Sequence, residues 1–356
     1  MADLYRHVDF NDAPTPNPTP PLAPEPTPTP APAPEPVAWP TAPGLDPTSQ
    51  PNRVPAGWRT FLIPIGAMAG HLATSLVVTM VFAFVVILDL MLRQGVSSSE
   101  EIASLMQVLM QQASDAILRL STQIALIYSA IQLAIFIPLF LALRRRERRF
   151  YPNDRTRPTD LLSVAAIATG LVGLTGLLFA GLQALADYVP FLKSQLDYYM
   201  DLSQYFSGDG GLVWTILATC IVVPIAEEVI FRGVVMNEFR RVMPLWVAVV
   251  LQGVVFALFH MNFIQTLYVV VPGILLGAVY AWTRSLVVPI VMHICFNFLG
   301  AGLPMILGEG QASQIVFIVE CAFILVAVLC VTWLHLNRRK GSVPLKDASG
   351  TVFTAP

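Results

Sequence analysis

From Trp58 onward the chain runs in long apolar stretches separated by short polar punctuation. Eight stretches approach the roughly 20 residues a helix needs to cross a bilayer. They lie near 60–92, 121–143, 161–186, 211–236, 244–263, 265–283, 286–307 and 314–336. Arg240, Arg241 and Pro244 part the fourth from the fifth, whereas the fifth and sixth nearly abut around Asn262 and Gln265, which predicts a tight turn. The pattern predicts an all-α, polytopic membrane helix bundle of about eight transmembrane helices over residues 58–340. Two segments between spans read as interfacial and structural. Ser98 and Glu101 form a capping-box pattern ahead of Ile102, Leu105, Met106 and Leu109, which share one helical face. Tyr198, Tyr199 and Tyr205 sit near acids after the third span, as residues of an aromatic belt do.

Residues 1–57 break this pattern. Seventeen of the 29 prolines precede Ala56, many in Pro-Thr-Pro or Ala-Pro alternation. Such a stretch makes no backbone ladder and has little to bury, so a disordered, extended Pro-rich tail is expected. It serves as a spacer, or as an arm docking an unknown partner. Residues 341–356 are expected to form a short C-terminal tail. Met1 to Asn11 lack an apolar signal-peptide core, so targeting falls to the first span.

Composition agrees with the pattern. Of 356 residues, 55% are hydrophobic and 12% charged, against about 25% charged in a soluble domain. The net charge of −2 argues against a nucleic-acid partner, which needs a concentrated basic face. Cys220, Cys295, Cys321 and Cys330 lie in apolar runs without a CxxC pair, and read as buried thiols. Charge adds orientation. Arg144, Arg145, Arg146, Arg148 and Arg149 follow the second run, Arg240 and Arg241 the fourth, Arg284 the sixth, and Arg338, Arg339 and Lys340 the eighth. Odd-numbered exits are acidic or neutral, with Glu100 and Glu101, then Asp187, Asp197, Asp201 and Asp209, then Glu309. The positive-inside rule then places both termini, and both tails, in the cytoplasm of a multi-pass cell-membrane protein.

Polar residues inside the spans carry the candidate chemistry. The fourth run holds Pro224-Ile-Ala-Glu227-Glu228-Val-Ile-Phe-Arg232. A charge near the bilayer centre costs about 2.5 kcal/mol or more on insertion scales. Glu228 and Arg232 are i and i+4 and can pair, which leaves Glu227 on another face. Pro224 removes a backbone donor and predicts a kink one turn earlier. The fifth run contains Phe256-x-x-x-His260 and the seventh His293-x-x-x-Asn297, the latter an i, i+4 pair on one face. Measured along each helix from its basic end, Glu227, His260 and Asn297 all fall about 20 Å deep. One polar chamber shared by three helices is the simplest arrangement. His71 and His335 are set aside as controls, the first alone in its span and the second near a basic exit.

A carboxylate, two imidazoles and an amide in such a chamber suit hydrolysis. Glu227 is a candidate general base on water. His260 holds that water or binds a metal, and His293 and Asn297 donate to an oxyanion. Glu227, His260 and His293 are equally a donor set for a divalent metal such as zinc, although no HExxH occurs. No GxSxG occurs among the spans to support serine catalysis, and no internal repeat supports a proton-coupled transporter.

Glu227-Glu228-x-x-x-Arg232, Phe256-x-x-x-His260 and His293-x-x-x-Asn297, in this order on successive helices, resemble the CPBP (CAAX protease and bacteriocin-processing, or Abi) family of intramembrane proteases. Gly273-x-x-x-Gly277-x-x-Tyr280-x-x-Thr283-x-Ser285-Leu286 and Pro289-Ile290 add to the likeness, which covers a catalytic core at about 211–300. The resemblance implies a type II CAAX prenyl endopeptidase-like activity on a peptide or membrane-protein substrate, with or without a metal. It implies that Glu227 and His260 activate water, that His293 and Asn297 hold the oxyanion, and that Glu228 and Arg232 support the site. The family also includes non-catalytic immunity and interaction proteins, the alternative reading.

Overall fold

The computed structural model describes residues 55–95, 99–207, 211–308, 310–339, 345–346 and 352–353, with backbone alone at 99–104, 204–207, 345–346 and 352–353. The Pro-rich segment up to residue 54, Ser98 and the side chain of Glu101 of the capping-box pair, and most of the C-terminal tail lie outside what is described. The described chain is helical apart from an antiparallel pairing of Leu345–Lys346 with Val352–Phe353. We number its helices α1 (Trp58–Arg93), α2 (Ser99–Arg119), α3 (Ser121–Arg146), α4 (Pro158–Ala186), α5 (Pro190–Ser207), α6 (Leu212–Val242), α7 (Leu245–Leu258), α8 (Phe263–Thr283), α9 (Val287–Leu307) and α10 (Gln311–Leu336).

Seven of these are long and apolar enough to span a membrane. All eight expected runs are helical, but the fifth, α7, has only 14 residues, about 21 Å of rise against a hydrocarbon core of about 30 Å. Its apolar composition concealed an early stop. Phe259 and His260 form a turn, Met261 takes a left-handed backbone (φ 53°), and Asn262 caps α8 by accepting from the Gln265 N–H at 3.0 Å. His260 therefore sits in the turn beyond α7 and not within a span. Between spans, α5 is a helix where a tyrosine-bearing loop was expected. Its Tyr198 is exposed but Tyr199 is not, whereas the side chain of Tyr205 lies outside the described residues.

The helices divide into lipid-facing and central ones. The most apolar windows of α1 and α10 are 6% and 11% buried, those of α6 and α8 both 44%. A helix enclosed by protein on all sides needs apolar residues all round it. From Glu228 to Met236 of α6 every side chain is buried, so the charges there are enclosed by protein rather than by lipid. Alpha-helical turns Val223–Glu228 lie between two π-helical stretches, Ile216–Val222 and Val229–Met236. Pro224, the second residue of the α-helical piece, lies inside the continuous helix α6, where its missing N–H removes one bond from the ladder. Where Pro224 predicts a kink, the helix carries a π-helical stretch on its N-terminal side, and a second follows the two glutamates, as π-bulges do at functional sites.

At the arginine-rich end of α6, charged side chains join three helices. Arg59 at the start of α1 donates to Glu147, just past α3, at 2.7 Å and to Glu238 of α6 at 3.0 Å. Arg241 also binds Glu147, and the Tyr151 hydroxyl donates to Glu238. Burial works against the Glu147 carboxylate, but Arg241 and Arg59 outweigh it and hold the group below the usual carboxylate range. A carboxyl depressed in this way stabilises the fold above its unfolded pKa and stops doing so as the pH falls through its folded value. Thermal stability of the purified protein in detergent is therefore expected to decline below about pH 4. Glu147→Gln should flatten that slope; an unchanged slope would locate the acid sensitivity elsewhere.

Candidate active site

One cavity of about 800 Å³ opens among the helices. Glu227, His260, His293 and Asn297 all line it, so the three motifs converge as their matched depths predict. Glu228 and Arg232 do not. Both are fully buried behind the cavity wall, paired at 2.8 Å, as the i, i+4 spacing predicts.

The buried pair is the anchor of the site. Arg232 Nη1 donates to Glu228 Oε1, and Nη2 donates to the Gly273 carbonyl of α8 at 2.8 Å. That carbonyl also accepts from Gln252 Nε2 of α7 at 3.0 Å. It is reached because α7 and α8 pack with their backbones nearly touching: a Cβ at Gly253 would lie 2.7 Å from the Ile274 backbone nitrogen. The small residues are what allow this approach. Phe256 of α7 then presents its ring face to the guanidinium, 4.4 Å from its centroid, a favourable place for a desolvated cation. The same ring meets His260 and His293 with centroid separations of 5.0 and 5.8 Å, both edge-on. Phe256 thus spaces the two imidazoles.

Glu228 Oε1 accepts a second hydrogen bond, from His293 Nδ1 at 2.9 Å. A carboxylate only accepts, so Nδ1 carries hydrogen and the other nitrogen, Nε2, points on to Glu227 Oε2 at 3.7 Å. Glu227 thus has His293 as its close imidazole, and His260 faces the same cavity without an ion-pair contact to it. His260 has its own tautomer set in the same way: Nδ1 lies 3.0 Å from the Phe256 carbonyl, which can only accept, leaving the Nε2 lone pair unclaimed. Asn297 Nδ2 donates to the Thr219 carbonyl at 2.9 Å, within the first π-helical stretch. One amide hydrogen and the amide oxygen remain for a ligand.

Glu227, His260 and His293 are the residues that would hold a divalent cation. Among the described residues, however, no three His, Cys, Asp or Glu side chains gather at metal-ligand spacing, and His293, with Nδ1 held by Glu228, offers Nε2 alone as a ligating nitrogen. The donor set does not fit a metal in this arrangement, and no step below runs through one. The four cysteines are free thiols.

Several cavity residues carry no motif. His71, set aside above as a lone span histidine, lines the cavity with its ring 6.0 Å from Phe231 and 5.9 Å from Phe259. His335 lies outside it, against Trp282 at 5.2 Å. Tyr199, read as a belt residue, lines the cavity too, its hydroxyl 3.3 Å from that of Tyr268. Glu320 of α10 completes the set. Glu320 was legible by the same reasoning that picks out Glu227, being an acid inside an apolar run. His71 carried the same signal as a histidine inside a span, whereas Tyr199 had none.

Residues 209–299 match the family described as type II CAAX prenyl endopeptidase Rce1-like. No curated protein and no solved structure matches the chain. The matched segment begins just before α6 and ends within α9, and so holds all six motif residues while leaving out His71, Tyr199 and Glu320. The helices that bring the three motifs to one cavity are thus the stretch of the chain that is similar to the type II CAAX prenyl endopeptidase Rce1-like family.

Proposed function

We propose that this multi-pass membrane protein is an intramembrane endopeptidase whose catalytic core lies at 211–300 within a helical domain of 58–340. The reading rests most on how the two adjacent acids are divided. Glu228 is committed to Arg232 and His293, whereas Glu227 opens on the cavity. In this scheme Glu227 takes a proton from water, whose oxygen attacks the peptide carbonyl, and later gives it to the departing amine as the C–N bond breaks. His260 Nε2 accepts from the same water and fixes its direction. The oxyanion receives the free Asn297 amide hydrogen and a hydrogen from His293 Nε2. Because His293 Nδ1 serves Glu228, that second donation requires the doubly protonated ring. Charge asymmetry favours placement in the cell membrane with both termini cytoplasmic, a topology in which short α7 counts as the eighth crossing.

Cells carrying Glu227→Gln should accumulate uncut precursors, read by comparing membrane and secreted proteomes with those of cells holding the unaltered chain. Identical proteomes with an intact cellular phenotype would instead support a non-catalytic immunity or interaction role. Cleavage by the purified protein is expected to survive chelation. Loss of activity restored by added zinc would move water activation to a metal on Glu227, His260 and His293.

A further inference from the structure

The cavity carries a second acid that the proposed reaction does not use. Glu320 lies near the middle of α10, 6% exposed and on the cavity wall. No hydrogen bond or ion pair to its carboxylate is found among the described residues. Its position is rigidly set. The backbone of α10 lies against Gly173 of α4, where a Cβ would stand 2.4 Å from the Glu320 carbonyl oxygen. That close contact fixes the backbone from which the Glu320 side chain reaches the cavity.

Its surroundings give it no counter-charge. Among the described residues the cavity is lined by two acids, Glu227 and Glu320, and three histidines, with neither lysine nor arginine. The Arg232 guanidinium is enclosed behind the wall and occupied by Glu228 and the Gly273 carbonyl. Glu227 has His293 beside it; Glu320 has no imidazole in contact. An unpaired carboxylate at membrane depth is costly unless it meets a cation or lines a functional path. Phe317, three residues earlier and also on the cavity, adds an aromatic ring to the same helical face, and rings favour cations.

We propose that Glu320 forms a subsite for a basic side chain, lysine or arginine, of the peptide held in the cavity. The enzyme would then select apolar segments that carry one basic residue at a fixed distance from the scissile bond. A chain-terminal carboxylate entering that end would meet a like charge and no cation. This deepens the endopeptidase reading and rests on it.

The test uses the full chain carrying Glu227→Gln, to stop turnover and to remove the other cavity carboxylate, in phosphatidylcholine nanodiscs. The probes are apolar helical peptides with a single lysine stepped along the sequence, each paired with a norleucine twin. At one or two neighbouring positions the lysine peptide should bind about tenfold tighter than its twin, as a charge-assisted contact gives. Adding Glu320→Gln should erase that ratio and Glu320→Asp should keep its sign. Glu320→Arg should turn the preference toward glutamate-bearing peptides. No favoured lysine position, or a preference that survives Glu320→Gln, overturns the subsite. So does loss of the preference when phosphatidylethanolamine is included, since the cation would then be a lipid amine. Cleavage of the same peptides by the chain with Glu227 intact reports separately on the endopeptidase reading. Cutting without lysine preference refutes the subsite alone, and lysine preference without cutting refutes the protease alone.

Discussion

Replacing Arg232 with leucine is expected to destabilise the protein by about 3–5 kcal/mol, as breaking one half of a buried ion pair does. Arg232 and Glu228 are both fully buried. Without the guanidinium, Glu228 keeps only His293 as a partner, and its second oxygen already lacks one. The Gly273 carbonyl also loses a donor that ties α6 to α8. The measurable result is a lowered unfolding temperature in detergent and a reduced yield of folded protein from membranes. Removing both charges, as in Glu228→Gln with Arg232→Leu, should recover much of that stability, because the uncompensated charge is gone. It should not recover cleavage, since His293 loses the carboxylate that fixes its ring. Wild-type stability in the single variant would mean that this pair does not anchor the fold.

Glu227→Gln is expected to do the reverse, slowing cleavage by about 10²–10⁴-fold with little change in unfolding temperature. Among the described residues the carboxylate makes no ion pair tighter than the 3.7 Å approach to His293, and the amide has nearly its shape. What is lost is a group able to take a proton from water. The measurement is a rate in proteoliposomes, with a substrate taken from the precursors that the proteomic comparison identifies. Undiminished cleavage would remove Glu227 from the reaction. The two variants together separate the adjacent acids into one that holds the protein together and one that acts.

Much of this site is legible from the chain because helices preserve local spacing. Glu228 and Arg232 are four residues apart on one helix, so their pairing needs no knowledge of the fold. The matched depths of Glu227, His260 and Asn297 follow from rise per residue, and all three reach one cavity. What spacing leaves out is which helices stand beside one another. His71 of α1 and Glu320 of α10 come to the cavity only through packing between distant parts of the chain. The stop of α7 at Leu258 was hidden differently: the turn residues Phe259 and Met261 are themselves apolar, so hydropathy runs through the break. The capping Asn262 was the one local sign of it.

The cavity wall draws on α1, α3, α4, α5 and α10, all outside the segment 209–299. In the proposed scheme the catalytic groups and most of the wall that would meet a substrate are therefore encoded in different stretches of the gene. Two chains with identical motifs in 209–299 are then free to differ in what their cavities admit. For redesign the same division is an opening: exchanging the outer helices would reshape the wall while the Glu228–Arg232 pair, His260 and His293 stay untouched.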